Sequence, residues 1–119
     1  MARFFSSLLI PALLLNAAPA FAHSEAVRTS PAANAVLQTA PRDVSILFNQ
    51  KVAAAPDAIA VEAADGARVD QGDARTESNG RVIRASLKPL TAGTYKVKWR
   101  VKSADTHTVE GTFSCTVRK

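Results

Sequence analysis

The stretch Thr94 to Lys102 admits one regular conformation. Tyr95, Val97, Trp99 and Val101 are apolar, while Thr94, Lys96, Lys98, Arg100 and Lys102 alternate with them and are polar or basic. A period of two describes a β-strand with one buried face and one wet, basic face. A helix would scatter the same apolar residues around its circumference. The alternation recurs in Val44, Ile46 and Phe48, and again in Ile59, Val61 and Ala63. Near the end of the chain, Phe113, Cys115 and Val117 share one face of a segment running from Thr112 to Val117. Asp65-Gly66 and Asn79-Gly80 are hairpin signals, the second followed by the segment Arg81 to Leu87. Helix signals are weak: Ala53-Ala54-Ala55 before Pro56 reads as a loop or a single turn. Pro31, Pro41 and Pro89 fit loops or strand ends. The expectation is an all-β domain, a Greek-key β-barrel or sandwich of about seven strands.

The first 22 residues stand apart from this pattern. Arg3 supplies a positive start, Leu8 to Leu15 an apolar run, and Ala20-Phe21-Ala22 a small-x-small cleavage site. Residues 1–22 therefore read as a cleavable signal peptide, and residues 23–119 as the exported domain. The apolar run is well short of the roughly 20 residues that span a bilayer. No Cys lies near the cleavage point, so a lipid anchor is not expected.

The net charge is +5, of which the signal peptide carries only Arg3. Lys and Arg form no cluster and aromatics are few, so nucleic acid is not an expected partner. The basic strand face reads as solvated surface or as one side of a transient protein contact. Cys115 is the only cysteine, so no intramolecular disulfide is available and the fold must rest on its core. Cys115 reads as a small buried hydrophobe. The alternative, a blue-copper thiolate, needs a nearby His pair and usually an axial Met. The sole methionine, Met1, leaves with the signal peptide.

Chemistry concentrates in two histidines, His23 and His107, the only two in the chain. His23 directly follows the cleavage site. Cleavage would free an α-amino group on the residue that also carries an imidazole. Its amine nitrogen and Nδ1 could then close a six-membered chelate ring on one metal, which an internal histidine cannot do. Asp105 and His107 are two residues apart and would project to one side of an extended segment. Together these residues offer amine nitrogen, two imidazole nitrogens and a carboxylate oxygen. Such a tetragonal set suits Cu(II) and lacks the soft donors that Cu(I) favours. The amine and imidazoles must be deprotonated to bind, so affinity should fall by several kcal/mol, on the order of one proton's cost per ligand, between about pH 7 and pH 5.

The chain resembles the CopC family of periplasmic copper-resistance proteins over nearly all of the exported part. His23-Ser24-Glu25 and Ser30-Pro31-Ala32-Ala33-Asn34 are similar to the family's opening. Ala40-Pro41-Arg42-Asp43-Val44 and Leu47-Phe48-Asn49 match its first long strand. Leu90 to Tyr95, Trp99-Arg100-Val101 and Ser103-Ala104-Asp105-Thr106-His107 match its most distinctive stretch, completed by Gly111-Thr112-Phe113-Ser114. The resemblance implies a cupredoxin- or immunoglobulin-like Greek-key fold of seven strands and a Cu(II) site at His23, Asp105 and His107. It also implies a periplasmic location and, as partner, an inner-membrane copper transporter of the type that accompanies the family. Some members add a Met-rich Cu(I) site, for which this chain has no residues. Four positions depart from the family pattern. Thr106 stands where Gly is usual, Thr108 where Pro is common, Cys115 for an aromatic, and Ala35 where an Asp-Gly turn is typical. If the family Gly adopts positive φ, Thr106 would be strained. Glu25, close to His23, is a candidate outer partner.

The expected function is a monomeric, non-enzymatic copper carrier or buffer. Two other classes share some of these features. A metal-free immunoglobulin-like interaction module would use the fold without the histidines. A histidine-brace copper oxidase would use the same N-terminal chelate, but Asp105 would fill the position such an enzyme leaves open for oxygen.

Overall fold

The computed structural model describes residues 24–118. The expected signal peptide, His23 and Lys119 lie outside the described residues. Nine strands follow one another: β1 (Ala26–Ser30), β2 (Ala35–Leu37), β3 (Asp43–Phe48), β4 (Val52–Ala53), β5 (Ile59–Ala63), β6 (Arg75–Glu77), β7 (Val82–Ser86), β8 (Gly93–Ser103) and β9 (Thr108–Val117). The number exceeds the expected seven because short pieces are included. β4 has two residues, and β2 and β6 have three each. The described residues contain no helix, and Ala53 to Ala55 leads into a turn closed by Ala58 N–H donating to Ala55 C=O at 2.8 Å.

The strands form two sheets. One runs β1-β3-β7-β6; the other runs β2-β9-β8-β4, with β5 also paired to β8. Pairing is antiparallel except for β2 on β9. The chain crosses from sheet to sheet repeatedly, so the inward faces of both close on one core. Val44, Ile46 and Phe48 of β3 and Tyr95, Val97, Trp99 and Val101 of β8 are all buried in it. Phe48 meets Trp99 edge to face, ring centroids 5.2 Å apart, which joins the two sheets. The intervening Lys96, Lys98, Arg100 and Lys102 are exposed, as the alternation requires.

Turn chemistry follows the sequence closely. Ser78, Asn79 and Gly80 all have positive φ between β6 and β7, the backbone that Asn-Gly favours. At the other signal, Gly66 N–H donates to Ala63 C=O at 2.9 Å, and Asp65 Oδ1 accepts from Ala67 N–H. The return arm makes a single bridge, Glu62 to Arg68, before crossing to the other sheet at Asp70 and Leu87. Asn34 takes φ 66° in the tight turn before β2, where Ala35 N–H donates to Ala32 C=O. An asparagine there does the work of a glycine.

The strand ladder places two distant segments at one end of the sandwich. β1 is antiparallel to β3, so Ala26 faces Phe48, the last residue of β3. β4 follows at once, and its Val52 pairs with Ser103, the last residue of β8. The start of the described chain and the β8–β9 loop thus share one pole.

Candidate metal centre

Asp105 and His107 occupy the loop of residues 104–107 that joins β8 to β9. The segment is a tight turn, not the extended stretch expected from the spacing. Thr106 N–H donates to Ser103 C=O at 2.9 Å, and Ser103 N–H to His107 C=O at 2.8 Å. The turn still brings the two side chains together. Asp105 Oδ2 lies 3.0 Å from His107 Nδ1, and Oδ1 accepts from His107 N–H at 3.2 Å. Both residues are exposed.

Ser103 completes the arrangement, and sequence reasoning gave it no role. Its hydroxyl donates a short hydrogen bond to Asp105 Oδ1. Ser103 is buried, at 5% exposure, because it continues the inward phase of Tyr95, Val97, Trp99 and Val101 by one step. Extending that alternation would have found it. The Ser103 hydroxyl, then the His107 ring and N–H, hold the Asp105 carboxyl well below the usual carboxylate range. Asp105 is therefore an anion at any physiological pH.

Thr106 has φ 71°, the left-handed region that a β-branched residue avoids. The strain anticipated for a residue replacing Gly is present. It is accompanied by a short hydrogen bond from Thr106 Oγ1 to Asp105 C=O.

The opposite strand of the pole carries the N-terminal arm. Glu25 N–H donates to Asn49 Oδ1 at 2.8 Å, and Asn49 N–H donates to Glu25 C=O at 3.1 Å. Glu25 is held through its backbone; its side chain is exposed. Ser24, next to it, is buried, and its Oγ has no hydrogen-bond partner among the described residues. Of the three expected ligands, the fold brings Asp105 and His107 into contact, while His23 lies outside the described residues. Among the described residues no cluster of three or more His, Cys, Asp or Glu side chains is formed.

Cys115 is remote from this pole. It is buried, pairs with Tyr95, and stands seven positions along β9 from Thr108, about 23 Å at the rise of a strand. Burial pushes its thiol up from the ordinary value. Both facts favour the buried-hydrophobe reading over a copper thiolate at the loop.

Comparison with known proteins gives a consistent result. The CopC domain family matches residues 26–118. Copper resistance protein C of Xanthomonas campestris pv. juglandis is 30% identical over 120 residues, covering 95% of this chain and 94% of that protein. Copper transport protein CutJ of Bacillus subtilis (strain 168) is 34% identical over 101 residues, or 83% of this chain. The chain spans 19% of that longer protein. Among solved structures, CopC from Methylosinus trichosporium OB3b superposes with a TM-score of 0.71 at 32% identity, covering 80% of this chain and 93% of that one. PcoC, a methionine-rich copper resistance protein from Escherichia coli, has the same fold, with a TM-score of 0.69 at 24% identity. With the CopC domain matched over residues 26–118 and a copper resistance protein C 30% identical over 95% of this chain, this two-sheet β-sandwich belongs to the CopC family.

Proposed function

We propose that the chain is a periplasmic carrier of Cu(II) that sequesters the ion for copper resistance or homeostasis. Its ligands are the amine and Nδ1 of His23 after signal-peptide removal, together with Asp105 and His107. The observation that carries this reading is the 3.0 Å separation of Asp105 Oδ2 and His107 Nδ1. Metal–donor bonds of about 2.0–2.1 Å at right angles put neighbouring donors about 2.9 Å apart. The pair therefore matches one edge of a tetragonal site before any metal arrives, with copper replacing the proton between them.

Ser24, which follows position 23 in the sequence, begins the described arm, and the Glu25–Asn49 tie holds that arm at the pole where Val52 pairs with Ser103. The donor set is three nitrogens and one oxygen, hard to borderline and suited to Cu(II) rather than Cu(I). With four positions filled by protein, copper is cargo and the chain is not an enzyme. It acts as a monomer, and its recipient is an inner-membrane copper transporter. CutJ, in which a region like this chain forms a fifth of a copper transport protein, supports that assignment.

Mass spectrometry of the exported protein and Cu(II) electron paramagnetic resonance test the reading together. The expected result is a chain beginning at His23 that binds one Cu(II) with three nitrogen ligands; a His23→Ala chain still cleaved before residue 23 keeps the amine and loses one nitrogen, that of the ring, and His107→Ala also loses one. A mature chain beginning elsewhere, or unchanged spectra in His107→Ala, would overturn it.

A further inference from the structure

We infer that Ser103 is a positioning residue that makes Asp105 a one-oxygen ligand and presents that oxygen to the metal. The inference rests on the copper reading above. A free carboxylate on an exposed loop rotates about its last bond and can offer either oxygen, or both. Here the two oxygens have different tasks. Oδ1 accepts from the Ser103 hydroxyl and from His107 N–H, and Oδ2 faces His107 Nδ1. The first two contacts lock the carboxylate plane, so Oδ2 is the atom left to complete the metal edge.

The clamp is built on the rigid part of the fold. Ser103 closes β8, pairs with Val52 of β4, and has its N–H bonded to His107 C=O and its C=O bonded to Thr106 N–H. Its side chain is buried and cannot swing to water. The hydroxyl has one proton and two acceptors within reach, Asp105 Oδ1 and, at 3.2 Å, His107 C=O. The carboxylate is the better acceptor, because a hydrogen bond to an ion is the stronger of the two. Such outer contacts orient metal ligands and are worth roughly 10- to 100-fold in affinity.

Ser103→Ala tests this beside Ser103→Thr, which keeps the hydroxyl, and His107→Ala, which removes a proposed ligand. Cu(II) affinity would be read by competition with a chelator, and the loop by carboxyl-carbon and imidazole-nitrogen NMR of the metal-free protein. Thermal melting would report folding. Ser103→Ala should remain folded, lose about tenfold or more in Cu(II) affinity, and shift the metal-free Asp105 carboxyl and His107 ring signals. Ser103→Thr should restore both. If His107→Ala abolishes copper binding while Ser103→Ala matches wild type in affinity and in the metal-free spectra, the clamp is wrong and the copper site stands. If His107→Ala binds as wild type does, the copper site itself is wrong.

Discussion

The indole of Trp99 occupies the space that a side chain at position 111 would need. Gly111 is paired with Trp99 across β8 and β9, and a Cβ built there would lie 2.5 Å from Trp99 Cζ2 and 2.8 Å from Cε2. The same ring meets Phe48 of the facing sheet edge to face, so moving it disturbs the contact that joins the two sheets. Gly111→Ala should therefore cost about 2–3 kcal/mol through overpacking. Urea unfolding of the two proteins checks it, and equal midpoints would show that the core can yield.

Asp70 is the second internal brace. Its side chain is 1% exposed and takes Arg68 at 2.7 and 2.9 Å, Val61 N–H at 2.9 Å and Gly72 N–H at 3.1 Å. Burial would push the carboxyl up, but Arg68 and the two backbone donors outweigh it and hold it below the usual range. A lowered folded value means stability that is full above the ordinary carboxyl value, near 4, and lost as pH falls through the folded one. Asp70→Ala should be destabilised by about 3 kcal/mol at neutral pH. The gap from wild type should narrow below about pH 4. Denaturation at neutral and acid pH measures both, and a gap independent of pH would refute the assignment.

Thr106 carries local strain at φ 71°. Replacing it with Gly removes a left-handed penalty of about 1–2 kcal/mol and adds unfolded-state freedom of about 0.5–1. Thr106→Gly should thus stabilise the protein by about 0.5–1 kcal/mol, read by thermal unfolding. A destabilised variant would mean that the Thr106 hydroxyl contact to Asp105 C=O outweighs the backbone term.

Asn49 ties the N-terminal arm to the pole through its side chain. Asn49→Ala removes the acceptor for Glu25 N–H, a hydrogen bond worth about 1 kcal/mol. If the arm must be held for His23 to reach the loop, Cu(II) affinity should fall by about fivefold. Competition titration would read the change. Wild-type affinity would show that the arm finds its place without this bond.

Much of the architecture was legible because its signals are local. The alternation from Thr94 to Lys102 marks β8, Val44 to Phe48 marks β3, and Asn79-Gly80 marks a hairpin, each within a single short window. β2 and β6 were not visible, since three residues cannot display a period. β9 begins four residues before the expected Thr112 because Val109 and Glu110 follow the loop too closely for a separate pattern to emerge. Asp105 and His107 were identified as a pair, but for an extended segment, whereas a hairpin turn brings them together. Ser103 is not legible on its own, because a lone serine carries no signal of burial until the strand's phase is followed through it.

The amino-acid order alone dictated which faces are apolar, where the chain turns, that no disulfide assists the fold, and that two histidines are the whole imidazole supply. These are properties of neighbours, set by backbone sterics and side-chain hydrophobicity. That Glu25 meets Asn49, that Val52 meets Ser103, and that Ser103 locks Asp105 against His107 came from the folded domain. Residues far apart in sequence are brought together by the packing of two sheets on one core, and no local preference encodes which ends then coincide.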